Sequence, residues 1–181
     1  LGTELAGEVE AAGKDVTRFK PGDLVFASTG MAGGGHAQYA CLPETGAVAI
    51  KPDSLSLDEA VAIPFGANAA LYFLQNLGQI RAGQEILIIG ASGAIGSAAV
   101  QLAKHFGATV TGVCSGANVQ LVKSLGADTV IDYTREDFTK NGKTYDLIFD
   151  VVGATTFDRC QHTLKPDGAF LQNIMELIDV A

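Results

Sequence analysis

Cysteine is scarce and scattered. Cys41, Cys114 and Cys160 are the only three in 181 residues, and no C-x-x-C pair occurs. That excludes a zinc ribbon or dithiol redox motif, and an odd, low count does not make a disulfide framework. A reducing cytoplasm is the expected location. Proline is also sparse, with 5 residues and no Gly repeat, which removes collagen-like and low-complexity chains. Charged residues make up 18%, against a usual ~25%. They include no basic tract: 12 Lys+Arg stand against 20 Asp+Glu, a net charge of −8. Such a chain is a poor partner for nucleic acid or an anionic membrane surface. Apolar runs such as Ile86 to Ile89 are far too short to span a bilayer. The opening LGTELAGEVE lacks the basic start and apolar stretch of a signal peptide.

What is present is apolar material and glycine. Hydrophobic residues reach 48%, enough for a core and too many for a disordered chain. Glycine contributes 22 residues of 181, well above the usual ~7%. The first fifty residues read as short strands separated by Gly/Pro turns: Glu4 to Glu10, Leu24 to Ala27, His36 to Leu42 and Ala47 to Ile50. Lys20-Pro21-Gly22-Asp23 is a turn, because proline presets φ and glycine relieves the next position. This pattern predicts a small barrel or sandwich, left incomplete because no earlier strand is there to pair with the first.

The pattern changes at Lys51-Pro52, which divides the chain into an expected barrel domain, 1–50, and a second domain, 51–181. Ser56-Leu57-Asp58-Glu59 is a capping box, in which hydroxyl and carboxylate exchange bonds with each other's amides. A helix follows, Pro64 interrupts it, and a second helix runs from Ala67 to Leu77. Strand and helix then alternate. Strands are expected at Glu85 to Ile89, Thr109 to Val113, Thr129 to Ile131, Asp146 to Val151 and Ala169 to Asn173. Helices are expected at Ile95 to Phe106, Asn118 to Leu125 and Thr155 to Leu164. Buried strands alternating with helices predict an α/β fold, a Rossmann-like doubly wound parallel sheet.

The most informative segment is Glu85-Ile86-Leu87-Ile88-Ile89-Gly90-Ala91-Ser92-Gly93-Ala94-Ile95-Gly96. It is a strand entering a glycine turn and then a helix, the context required for dinucleotide binding. The spacing is G-x-x-G-x-x-G rather than G-x-G-x-x-G, but the demands are the same: close backbone approach to a pyrophosphate and amides that face it. Gly93 is placed for the approach, the Ala94 and Ile95 amides for donation, and the Ser92 hydroxyl for a further bond. Gly96 is expected to serve helix-to-strand packing. An NAD site usually carries Asp or Glu at the end of the second strand. Here Cys114-Ser115-Gly116-Ala117-Asn118 holds no carboxylate, while Ser115 and Asn118 can donate to a 2′-phosphate. This favours NADPH through absent repulsion rather than through a cation. Ser115 and Asn118 could equally cap the next helix.

The run Gly83-Gln84-x-x-Leu87-x-x-x-Ala91-Ser92-Gly93-Ala94-x-Gly96-x-x-x-x-Gln101-x-x-Lys104 resembles the zinc-independent quinone oxidoreductases. These form the zeta-crystallin-like branch of the medium-chain dehydrogenase/reductase superfamily; most members have Gly where this chain has Ala94. Gly2 to Gly13, with Phe19-Lys20-Pro21-Gly22-Asp23-Leu24-Val25, looks like the superfamily's barrel segment. The resemblance covers nearly the whole chain. It implies that the first domain is part of a GroES-like barrel and that the chain is an internal fragment, about half of a full-length member. It further implies NADPH-dependent hydride transfer to a quinone or α,β-unsaturated carbonyl and a homodimer at full length. By the resemblance, zinc ligands of metal-dependent relatives fall on Thr3 and Pro64, so no metal is expected. His36, His105 and His162 show no ligand spacing.

Further cofactor positions follow from the resemblance. Asn68 stands where relatives often have a Thr touching the nicotinamide ribose. Tyr133 matches a position near the adenosine ribose or its phosphate, or else covers the sheet edge. Val152 and Gly153 follow the fourth strand at its carboxyl end, where ligands of open α/β sheets bind. Cys114 lies at the same end as a small buried residue rather than a nucleophile, since no cation is placed to lower its pKa. No general acid stands out, and the catalytic residues are left unassigned. Two alternatives stay open: a nucleotide-binding protein with little turnover, and an enoyl-thioester reductase of the same superfamily.

Overall fold

The computed structural model describes residues 2–173. Two compact units divide after Asn68. In the first, β1 (Glu4–Glu8), β2 (Leu24–Ser28) and β3 (Val48–Ile50) form an antiparallel sheet in the order β1-β2-β3. Val25 and Ala27 of β2 are buried. The capping box forms as expected and opens α1 (Leu57–Ala60): the Ser56 amide donates to the Glu59 carboxylate at 2.8 Å and the Glu59 amide to the Ser56 hydroxyl at 3.2 Å. Glu4 on β1 accepts from the Phe65 amide at 2.8 Å, tying strand to helix region. α1 therefore belongs with the strands, although it follows the change in pattern at Lys51-Pro52. The strand expected over His36 to Leu42 does not form. Among the described residues its alternation finds no ladder to join; next to it, the Gly35 amide donates to the Gly2 carbonyl.

The second unit is an α/β layer structure. Its strands are β4 (Glu85–Ile89), β5 (Thr109–Cys114), β6 (Thr129–Asp132), β7 (Tyr145–Asp150) and β8 (Leu164–Gln172). They form one five-stranded sheet, order β6-β5-β4-β7-β8, parallel throughout. Ile86, Leu87 and Ile88 are fully buried, which explains why β4 is apolar on both faces. The helices are α3 (Ala94–His105), α4 (Val119–Ser124) and α5 (Phe157–Cys160), with α2 (Gly66–Leu71) leading into the unit. One face packs Ile86, Ile88 and Phe149 against Ala99, Val100 and Ala103 of α3. The opposite face gathers Leu87, Ile89, Ile148 and Cys160.

Three further elements differ from expectation. The second helix continues beyond Leu71 as a π-helical turn, Tyr72–Leu77. The helix expected from Thr155 is only α5 plus a 3₁₀ turn, Gln161–Thr163. β8 begins at Leu164, five residues before the apolar run that announces it, because an irregularity opposite Tyr145/Leu147 absorbs Lys165 to Gly168. The strand order places the turn back of the sheet between β4 and β7. Successive connections leave these neighbours in opposite directions, which opens a crevice at their carboxyl ends.

Candidate cofactor site

β4 ends in a turn that glycine makes possible. Gly90 has φ +84°, a conformation costly for side-chain-bearing residues, and a Cβ there would come within 2.7 Å of Val152. The Gly90 and Ala91 amides both donate to the Val113 carbonyl at 3.0 Å, locking the turn to β5. Gly96 has a different task. A Cβ on it would lie 2.1 Å from the Gly90 carbonyl oxygen and 2.8 Å from Ala91 Cα. Only glycine lets α3 approach the turn so closely.

Gly93 is the N-cap of α3, in an extended conformation, and offers no side chain to the first-turn amides. Gly93 and Ala94 are exposed, while Ile95 turns into the core. The helix therefore starts with open donors and the positive end of a twelve-residue dipole, with Lys104 and His105 at its other end. These features fit a dinucleotide pyrophosphate: the Ala94 and Ile95 amides and the Ser92 hydroxyl would hold it, and no Cβ blocks Gly93.

Ser115 and Asn118 do not cap the helix that follows them; neither makes a side-chain cap bond. Instead the Asn118 side-chain amide donates to the Ser92 hydroxyl at 3.1 Å and to the Ser115 hydroxyl at 3.3 Å. One side chain thus ties the glycine turn to the end of β5. Cys114 is buried, and burial, aided by the Asp132 charge, pushes its thiol up. It stays protonated at neutral pH. Tyr133 and Val152 are exposed, with Gly153 beside Val152. Asn68 is exposed on α2 in the first unit.

Two carboxylates at this end of the sheet escaped the sequence reading. Asp150 is fully buried at the end of β7. It accepts from the Val152 amide at 3.1 Å, the Thr155 amide at 2.9 Å and the Gln172 side chain at 3.3 Å. These bonds shape the loop that carries Val152 and Gly153. The signal was an acidic residue closing the apolar strand Tyr145–Asp150 just before Val-Val-Gly. The second is Asp132. Register pairs it with Cys114, and its Oδ2 lies 2.6 Å from where a Gly116 Cβ would be. The β5 loop has no carboxylate of its own, but β6 supplies one, so the expected absence of an acid beside this loop is corrected. The Thr134 hydroxyl and amide hold the Asp132 carboxyl below its usual range, with Arg135 and the Gly116 amide adding to them.

Comparison with known proteins agrees with this architecture. Residues 1–53 match the family described as alcohol dehydrogenase GroES-like domain, and residues 94–172 the family described as zinc-binding dehydrogenase. The chain belongs to the medium-chain dehydrogenase/reductase superfamily. It is 39% identical over 173 residues to the mitochondrial NAD(P)H oxidoreductase RTN4IP1 of Danio rerio, covering 92% of this chain and 45% of that protein. The quinone oxidoreductase structure from Pseudomonas syringae superposes with a TM-score of 0.83 at 34% identity, covering 98% of this chain and 58% of that one. The mycobacterial Rv1454c structure, complexed with NADPH, gives 0.79 at 27% identity, covering 93% and 55%. The chain thus spans less than half the length of the curated relative and somewhat over half of each solved chain. Among the described residues no cluster of His, Cys, Asp and Glu could hold a metal ion, and no helix is long and apolar enough to cross a membrane.

Proposed function

We propose that the protein containing this chain reduces quinones or α,β-unsaturated carbonyls with NADPH and without a metal. The observation that carries this reading is the turn from Gly90 to Gly93 between β4 and α3, with uncapped amides and an exposed glycine at the sheet's switch point. When bound, a reduced nicotinamide supplies hydride. The chain's own part is binding and orientation. The Ser92 hydroxyl and the Ala94 and Ile95 amides hold phosphate, and the Asn118 tie keeps Ser92 and Ser115 in place. The Asp150-braced loop presents Val152 and Gly153, while Tyr133 contributes from the end of β6. A quinone or enone accepts hydride without a Lewis acid, because the charge delocalises onto its oxygen and a proton follows from water; the rate then rests on orientation. Thr3 and Pro64, at the zinc-ligand positions of metal-dependent relatives, fit this chemistry. The relatives' quinone oxidoreductase and NAD(P)H oxidoreductase names support it, as does the NADPH held by the mycobacterial protein. The three free cysteines suit a reducing compartment, for which we propose the cytoplasm, and homodimerisation at full length is part of the same reading.

The test is oxidation of NADPH by the full-length protein against a broad panel of quinones, enones and acyl thioesters. Turnover with quinones or enones is the expected result. Tight NADPH binding with no turnover across the panel would replace the reductase with a nucleotide-binding protein.

A further inference from the structure

The rule that separates NAD from NADP sites looks along the second strand for an acid that bonds the ribose 2′-hydroxyl. In this chain β5 is that strand, and its end, Cys114-Ser115-Gly116, carries no acid. The parallel register Cys114↔Asp132 brings one in from β6. The Asp132 side chain is 16% exposed, and its Oδ2 stands over Gly116. It lines an open groove of about 460 Å³ together with Gly116, Val130, Arg135 and Glu136. Small-molecule clefts commonly fall in the range of ~300–1,000 Å³. The charges that line it are two carboxylates and one guanidinium. Arg135 is 85% exposed and reaches Asp132 only at 3.6 Å, so it is a loose counter-ion. Asp132 also accepts from the Thr134 amide at 3.0 Å and its hydroxyl at 2.8 Å, which fixes the carboxylate in place.

We propose that Asp132 sets the cofactor selectivity of this site: held over Gly116, its carboxylate accepts from a ribose 2′-hydroxyl and repels a 2′-phosphate, and so holds down whatever preference for NADPH over NADH the rest of the site supplies. The neighbouring hydroxyl–amide cluster works the same way. Asn118 spends its amide hydrogens on Ser92 and Ser115, which leaves its carbonyl, an acceptor, for an incoming ribose. Arg135 is the opposing group, exposed enough to approach a phosphate. The inference rests on the nucleotide-binding part of the proposed function and not on the identity of the substrate.

The substitution Asp132→Asn keeps the size and the oxygen that accepts from Thr134, and removes the charge. The measurement is the dissociation constants of NADPH and NADH for the full-length protein and its D132N variant, at fixed ionic strength. The expected result is a rise of about tenfold in the preference for NADPH, since a unit charge a few ångströms from a phosphate is removed in a partly screened setting. R135Q should shift the preference the other way. An unchanged ratio overturns the proposal, including the case in which both nucleotides weaken equally because the turn has loosened. If the unsubstituted protein binds neither nucleotide, the nucleotide reading and this inference fall together. If it binds but reduces nothing, only the reductase reading fails, and the ratio still decides the role of Asp132.

Discussion

The two ends of the five-stranded sheet are built from different chemistry. The amino-terminal end is closed by charges that satisfy one another. Lys165 bridges Glu85 and Asp146 at 2.8 Å each, and the Glu85 amide donates to Asp146 at 2.7 Å. Lys104 meets Asp128 at 2.9 Å, and Asp128 also takes the Val110 amide. The carboxyl end presents backbone instead: a glycine turn, an uncapped helix start, and loops shaped by Asp150 and Asn118. One end spends its polar groups on the fold. The other spends Asp150 and Asn118 on bracing the loop and the turn and leaves the first amides of α3 uncapped, which is what a binding site requires.

The largest expected effect breaks the carboxyl end outright. Gly96→Val would drive side-chain carbon into the backbone of Gly90 and Ala91, which cannot yield as a side chain can. It should destabilise the second unit by about 3 kcal/mol or more, seen as a lower thermal midpoint and loss of nucleotide binding. Asp150→Asn comes next. Its amide oxygen can still serve Val152, but its NH₂ would face the Thr155 amide and Gln172. A loss of ~1–3 kcal/mol is expected, with nucleotide affinity falling several-fold because the Val152–Gly153 loop relaxes. Lost stability with unchanged affinity would assign Asp150 to structure alone.

The smallest effect sharpens the comparison at the other end. Burial raises the Asp128 and Asp146 carboxyls, but their partners outweigh it: the Val110 amide and Lys104 for Asp128, Lys165 and the Glu85 amide for Asp146. Both are held below their usual range. Folded values below an unfolded ~3.9 mean that their contribution is complete above that pH and is lost as pH falls through the folded values. The thermal midpoint should therefore stay level from about pH 7 to 5 and drop below about pH 4. The double variant D128N/D146N should shrink that acid limb while leaving nucleotide affinity at neutral pH unchanged. Asp132, Asp137, Glu44 and Glu59, also held low, account for the part that remains. Weaker nucleotide binding in that variant would mean that the two ends are not independent.

The sequence by itself determined the alternation of buried strands and helices, the glycine turn and the capping box. Each depends on local periodicity or on residues within a few positions, such as Ser56 with Glu59 or Gly90 with Gly93. It could not show that His36 to Leu42 finds no strand partner among the described residues, because alternation reports a capacity to pair and not a neighbour. Tertiary structure alone decided the polar geometry of the site. Asp132 and Gly116 are 16 residues apart in sequence but meet through strand register. Asn118 reaches Ser92 across 26 residues. Asp150 reads as a strand terminus until its three donors, from Val152 to Gln172, are assembled around it. Hydrophobic periodicity is written along the chain, but which carboxylate faces which amide follows from how strands align side by side, and no local pattern encodes that alignment.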